Sequence, residues 1–380
     1  MFASLDIPPS PYTAFAVSLV TAIVLVLTTK LHGRFSIDGL VGIQKAHTMP
    51  TPRIGGVAIW AGLIAAWAVA KPERQAILGP LLLAGLPAFA FGLAEDITKK
   101  VSVMARLLAT MASGVVGWWL TGVSLTSVDI PWFDSLLGIG LVSVLFTAFA
   151  IGGVANAINI IDGFNGLASG FVILAFVGIA GIATVVQDTN LAIACLCVAG
   201  AALGFWFINW PWGKLFLGDG GSYFGGFALA WSCVMLIERN SGVTAFAALL
   251  VCIHPVTEVL FSIYRRKLRQ THPGQPDRLH LHSLIMRRVV RSTLRVPPHL
   301  TNPLTGILLA LMSAPAVLAV YAVYDQTLTA AMLCLVFMLG YVTLYARLVS
   351  FHWCSPIAFL LRKPPINRRF MRTLQKQPRL

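Results

Sequence analysis

The apolar positions of this chain gather into eleven runs, near 12–29, 54–70, 76–94, 103–121, 133–153, 166–186, 190–209, 222–237, 243–263, 303–324 and 327–350. Each is close to the roughly 20 mostly apolar residues that a helix needs to cross a bilayer. The connections are mostly short and rich in Gly, Pro or Asp. The pattern therefore predicts an all-α, polytopic integral membrane protein of about eleven transmembrane helices. Met1 to Ser10 carries no basic residue and no small-residue cleavage site, so the first run reads as an anchor rather than a signal peptide. The expected organisation is a transmembrane domain over 1–350, with a cytoplasmic loop at 264–300 and a basic cytoplasmic tail at 351–380.

Composition agrees with the pattern. Apolar residues make up 57% of the 380 and charged residues 11%, and the mean hydropathy is +0.80. These values exclude disorder, collagen and a disulfide scaffold, and speak strongly against a soluble enzyme. The net charge of +14 could suggest nucleic acid. Its distribution says otherwise. With the N-terminus outside and the C-terminus inside, 23 of the 28 Lys and Arg fall on the cytoplasmic side, as the positive-inside rule requires. No nucleic-acid partner is expected. The six cysteines include no C-x-x-C pair and read as packing residues.

With that orientation, every conspicuous polar cluster lies on the inner face, where ionisable groups near a membrane usually serve function. Glu95-Asp96 ends the third run, with Lys99, Lys100 and Arg106 available to offset the charge; Asp96 is a candidate base or metal-site residue. In Asn156-Ala-Ile-Asn159-Ile-Ile-Asp162-Gly-Phe-Asn165-Gly, Asn156 and Asn159 share a helix face. Asp162-Gly-Phe-Asn165-Gly then restarts a helix with Asn165 as the expected N-cap, and the positive end of that helix would suit phosphate. Leu217-Gly-Asp219-Gly-Gly-Ser222 sets one carboxylate among glycines, a reasonable Mg²⁺ ligand, though a tight turn explains it about as well. Asp277-Arg278-Leu-His280-Leu-His282 lacks the further ligands a zinc site needs, so Arg278 and the histidines read as donors to an anion. Leu281, Leu284, Ile285 and Val289 interleave with Arg287, Arg288 and Arg291, which predicts an amphipathic helix lying on anionic lipid. Glu258 reads equally as a functional group or as a structural partner of Arg265 or Arg266.

Acids, amides and cations on one face, with a divalent cation, suit phosphoryl transfer, in which positioning and charge neutralisation dominate. The joint order of these motifs, together with Lys45-Ala-His-Thr-Met-Pro-Thr-Pro-Arg53-Ile-Gly-Gly, resembles the polyprenyl-phosphate N-acetylhexosamine-1-phosphate transferases over about residues 34–290. The likeness is to the bacterial branch that uses undecaprenyl phosphate and GlcNAc-type donors. It implies attack of undecaprenyl phosphate on the β-phosphorus of a UDP-N-acetylhexosamine at the bacterial inner membrane. The products would be UMP and a lipid diphosphosugar that begins a cell-surface polysaccharide. It further implies Mg²⁺, with Mn²⁺ as a substitute, on Asp219 and Asn159. Catalytic roles would fall to Asp96, Glu95 and Asp162, and substrate contacts to Lys45, Asn156, Asn165, Arg278, His280 and His282. A homodimer is the assembly allowed for.

Three departures from the family pattern stand out. Glu95-Asp96 replaces paired aspartates, Asn165 replaces the second acid of D-G-x-D-G, and His280-Leu-His282-Ser replaces a histidine triplet. The last argues against a muramyl-pentapeptide donor. The rival readings are a transporter, whose ionisable groups would sit near the midplane, and a non-catalytic member of the same fold.

Overall fold

The structure is a computed structural model and describes residues 6–38, 50–270, 279–292 and 294–350. In chain order the helices are α1 (Pro9–Leu27), α2 (Thr29–Ser36), α3 (Gly56–Val69), α4 (Pro72–Thr98), α5 (Val103–Thr121), α6 (Pro131–Leu137), α7 (Gly140–Ile161) and α8 (Leu167–Val185). They continue as α9 (Thr189–Asn209), α10 (Gly218–Arg239), α11 (Ala245–Val251), α12 (Ile253–Leu268), α13 (Leu281–Ile285), α14 (Pro298–Val323) and α15 (Thr327–Ser350). A π-helical turn, Met286–Arg291, extends α13. The only strands among the described residues are β1 (Ile37–Asp38) and β2 (Thr51–Pro52), an antiparallel pair.

Among the described residues nine helices are long and apolar enough to cross a membrane, and ten if α11 and α12 count as one span. Two of the eleven expected runs differ. The run at 54–70 becomes α3, with 14 residues. That is about 21 Å of helix, short of a hydrocarbon core of about 30 Å. Its first residues are drawn away instead: the amides of Gly55 and Gly56 bond to the carbonyls of Phe216 and Leu217 at 2.9 and 3.0 Å, and Phe216 N–H bonds to Pro52 O at 2.8 Å. The run at 243–263 breaks at Cys252, where α11 and α12 meet at 79°.

Local chemistry sets the helix ends. Proline opens α1, α4, α6 and α14, where its missing N–H costs nothing. Ser102, Asp188 and Thr244 cap α5, α9 and α11 through their side-chain oxygens. The centre of the bundle is α10, in which every residue from Gly218 to Leu236 is buried. It packs on α4, α7, α8 and α3. Glycines allow the closest approaches, as in membrane bundles generally. A Cβ on Gly92 of α4 would lie 2.5 Å from the Asp219 carbonyl oxygen of α10.

A second, smaller core lies at the N-terminal end of α8. Leu281, Leu284, Ile285 and Val290 pack there with Phe164, Phe261, Tyr341 and Tyr345. The segment is amphipathic as expected, with Arg287, Arg288 and Arg291 exposed. Its apolar face, however, is taken up by the protein itself and is not left for lipid. The five described cysteines are all buried free thiols.

Candidate active site

The site forms where the C-terminal ends of α4 and α7 meet the N-terminal ends of α5 and α10. Gly218 starts α10 at φ +74°, the left-handed region that glycine enters without penalty. A Cβ there would fall 2.0 Å from the Arg53 carbonyl oxygen and 2.5 Å from Asp96 Oδ2. The turn therefore admits no side chain at that point. Asp96, wholly buried, accepts the N–H groups of Asp219 and Gly220 at 2.9 Å each. It supplies, from another helix, the cap that α10 does not find in its own sequence.

This capping presents the Asp219 carboxylate to three groups. Arg53 Nη2 reaches Oδ1 at 3.0 Å, and Asn159 Nδ2 donates to the same oxygen at 3.1 Å. Arg106 Nη1 pairs with Oδ2. Asn159 Nδ2 also donates to Ser222 Oγ at 2.9 Å. Arg53 Nη2 lies 3.4 Å from Asp96 Oδ1 as well, and its Nη1 lies 3.9 Å from Asp38. The Arg106 guanidinium sits 5.7 Å from the centre of the Tyr223 ring, and its buried Nε has no partner among the described residues. Two guanidinium groups thus hold two buried carboxylates at one end of the bundle.

Asp162 follows α7 and lies just beyond this cluster. Loss of solvation pushes its carboxyl up to about 7, against the opposing charge of Arg53. Lys99 closes α4 in the left-handed conformation and bonds to the Asp96 carbonyl at 2.6 Å. Desolvation and the charge of Arg53 lower its pKa.

Several expected site residues lie elsewhere. Glu95 turns away from the cluster and accepts the Val101 N–H at 2.8 Å, so it braces the connection from α4 to α5. Asn165 is not the N-cap of α8; Gly166 is, at φ +77°. The Asn165 amide N–H bonds instead to Asn302 Oδ1 at 2.8 Å, and its Nδ2 reaches the Pro211 carbonyl at 3.4 Å. Asn165 thereby ties the α7–α8 turn to α14 and to the loop after α9. Asn156 is half-buried on α7, one turn before Asn159. Lys45 and Arg278 lie outside the described residues. His280 and His282 are both buried, and their rings stack at 5.2 Å.

Arg53 and Arg106 are the members that reading by motif undervalued. Arg106 was paired in expectation with Glu95-Asp96, and the structure gives it to Asp219. Arg53 stands in the right motif but counted there as one more basic residue. For metal binding, Asp219 offers a carboxylate and Ser222 a hydroxyl oxygen, which is hard-cation chemistry, and the Asn159 side chain lies against both through its Nδ2. No group of three His, Cys, Asp or Glu that could hold a metal exists among the described residues.

Fold and site together define a polytopic membrane protein with an acid–arginine centre at one end of its helix bundle. The model of glycosyl transferase family 4 matches residues 78–237, which include Asp96, Asn159, Asp162 and Asp219. The chain is 30% identical over 254 residues to the undecaprenyl-phosphate alpha-N-acetylglucosaminyl 1-phosphate transferase of Yersinia pestis, covering 64% of this chain and 68% of that protein. It is 27% identical over 280 residues to the Escherichia coli (strain K12) protein of that name, covering 72% and 75%. Identity is 28% over 281 residues, covering 72% and 76%, to the probable undecaprenyl-phosphate N-acetylglucosaminyl 1-phosphate transferase of Bacillus subtilis (strain 168). The chain belongs to glycosyl transferase family 4.

Proposed function

We propose that this protein transfers an N-acetylhexosamine 1-phosphate, GlcNAc or a derivative, from a UDP-sugar to undecaprenyl phosphate. An oxygen of the lipid phosphate attacks the donor's β-phosphorus and forms a new P–O bond. The bond from that phosphorus to the bridging oxygen breaks, and UMP leaves with the oxygen and its electron pair. The lipid phosphate is ionised near neutral pH, so the attack requires no protein base. The observation that supports this reading best is the pairing of Asp219 with Arg53, Arg106 and Asn159 at one end of the bundle, in a member of this family.

Within that reading, Arg53 and Arg106 bind the donor's diphosphate, whose geometry suits guanidinium groups. Asp219 and Asn159 would hold Mg²⁺, or Mn²⁺ in its place, which neutralises charge on the diphosphate when bound. Asp96 keeps Asp219 aimed at the site. Asp162, His280 and His282 lie towards the sugar or diphosphate. The orientation follows the loop charges: the site belongs on the cytoplasmic face of a bacterial inner membrane, where 23 of the 28 Lys and Arg gather. A transporter would carry its ionisable groups near the midplane; here they sit at helix ends. UMP release from a panel of UDP-N-acetylhexosamines, with mass spectrometry of the lipid product, tests the reading.

A further inference from the structure

A second buried polar cluster lies where α12, α13 and α15 meet. Glu258, 2% exposed, accepts from His280 Nδ1 at 2.8 Å, from the Tyr341 hydroxyl at 2.6 Å and from the Leu281 N–H at 3.3 Å. An ionised carboxylate only accepts hydrogen bonds, so Nδ1 of His280 carries a proton and the ring plane is fixed. His280 stacks on His282 with 22° between the rings, and His282 meets Phe164 edge-on at 5.3 Å. His282 Nε2 lies 3.0 Å from the place a Cβ would take on Gly163, the neighbour of Asp162. The contacts thus run from Tyr341 through Glu258, His280 and His282 to the Asp162–Gly163–Phe164 turn.

A purely structural joint between these helices would not need a charge. Buried ion pairs seldom stabilise more than apolar side chains of the same shape. The apolar joint is already present in the packing of Phe261 against Tyr341 and Tyr345. Orientation of a histidine by a carboxylate behind it is, by contrast, a recurrent way to hold a ligand-binding imidazole.

We infer that Glu258 and Tyr341 are positioning residues for the nucleotide-sugar donor: they hold His280 in one tautomer and thereby set His282 against the Asp162–Gly163 turn, where it meets the donor's diphosphate or sugar. The inference rests on the transferase reading above. It makes α15, otherwise largely lipid-facing, a part of the donor site.

The test uses the purified full chain and the variants Tyr341→Phe, Glu258→Gln, His282→Ala and their double combinations. It measures the KM for the UDP-sugar, the KM for undecaprenyl phosphate, kcat and the thermal midpoint. Tyr341→Phe is expected to raise the donor KM about three- to tenfold, the worth of one hydrogen bond, without moving the lipid KM. Glu258→Gln is expected to lower kcat/KM for the donor about ten- to a hundredfold. Combined with His282→Ala, either change should add less than about twofold, because all act through one imidazole. Donor KM values within twofold of wild type, losses that multiply with that of His282→Ala, or a shift in the lipid KM instead would overturn the inference. If Glu258→Gln does not fold, Tyr341→Phe and its combination with His282→Ala decide the matter. A wild-type protein that turns over no donor overturns the parent reading; active protein with unaffected variants overturns this inference alone.

Discussion

Asp96 holds Asp219 by the backbone: its carboxylate accepts the Asp219 N–H at 2.9 Å and the Gly220 N–H at the same distance. The acid therefore serves as a helix cap at the N-terminal end of α10, and both its oxygens are committed. In Asp96→Asn one N–H loses its acceptor and faces an amide N–H₂. We expect a destabilisation of about 1–3 kcal/mol and a strong loss of turnover. The residual rate should keep the pH dependence of the wild type, since the cap is not a proton acceptor. A pH profile that loses an inflection in this variant would make Asp96 a base.

Asp219 faces two guanidinium groups and an amide. Asp219→Asn keeps the shape and removes the charge. The expected outcome is no detectable transfer with expression retained; the amide oxygen can serve Arg106 or the Arg53–Asn159 pair but not both, so the thermal midpoint should fall as it does for Asp96→Asn. Activity near that of the wild type would remove Asp219 from the metal assignment.

Asp162 supplies the pH handle. Desolvation raises its carboxyl to about 7 and Arg53 opposes the rise. The pH dependence of kcat/KM should contain an inflection near 7 that Asp162→Asn removes. Arg53→Leu takes away the charge that favours ionisation, so the inflection should move to higher pH. The stability effect has a definite sign. The folded-state pKa exceeds the unfolded value, so the contribution is fully present below about pH 4 and is lost as pH rises through about 7. Thermal midpoints of the wild type and Asp162→Asn across that range measure it.

The contact between α4 and α10 leaves no room at Gly92, where a Cβ would come within 2.5 Å of the Asp219 carbonyl and 2.6 Å of the Gly220 nitrogen. Gly92→Ala must push backbone against backbone, for which we expect about 1–3 kcal/mol of destabilisation and a displaced Asp219. Gly153 on α7 is exposed and has nothing within 4 Å of its added Cβ. Gly153→Ala should therefore be neutral or stabilising by about 1 kcal/mol, with activity unchanged. Equal effects of the two substitutions would contradict the close-approach argument.

The reach of sequence reading follows from how local each feature is. Long apolar runs translate directly into helices, because a bilayer forces the backbone to satisfy itself within each segment. The run at 54–70 yields a helix of only 14 residues because its start is captured by Phe216 and Leu217, which lie far along the chain. Glu95 and Asp96 could not be told apart: neighbours on a helix point about 100° apart, and packing decides which one faces α10. The pairing of Asp219 with Arg53 and Arg106 spans 166 and 113 residues. No local pattern announces it, although both arginines stand beside recognised motifs. Asn165 was misread because an Asx residue before a glycine is an equally good N-cap or tertiary clamp, and only the approach of α14 distinguishes them.

The central claim is tested most directly by incubating the purified protein with undecaprenyl phosphate, Mg²⁺ and each member of a UDP-N-acetylhexosamine panel. UMP and the lipid are then followed together. We expect one donor or a few to yield stoichiometric UMP and an undecaprenyl diphosphosugar of the matching mass, in a reaction abolished by Asp219→Asn. Folded protein that releases no UMP from any donor, or that releases UMP without the lipid product, would contradict it.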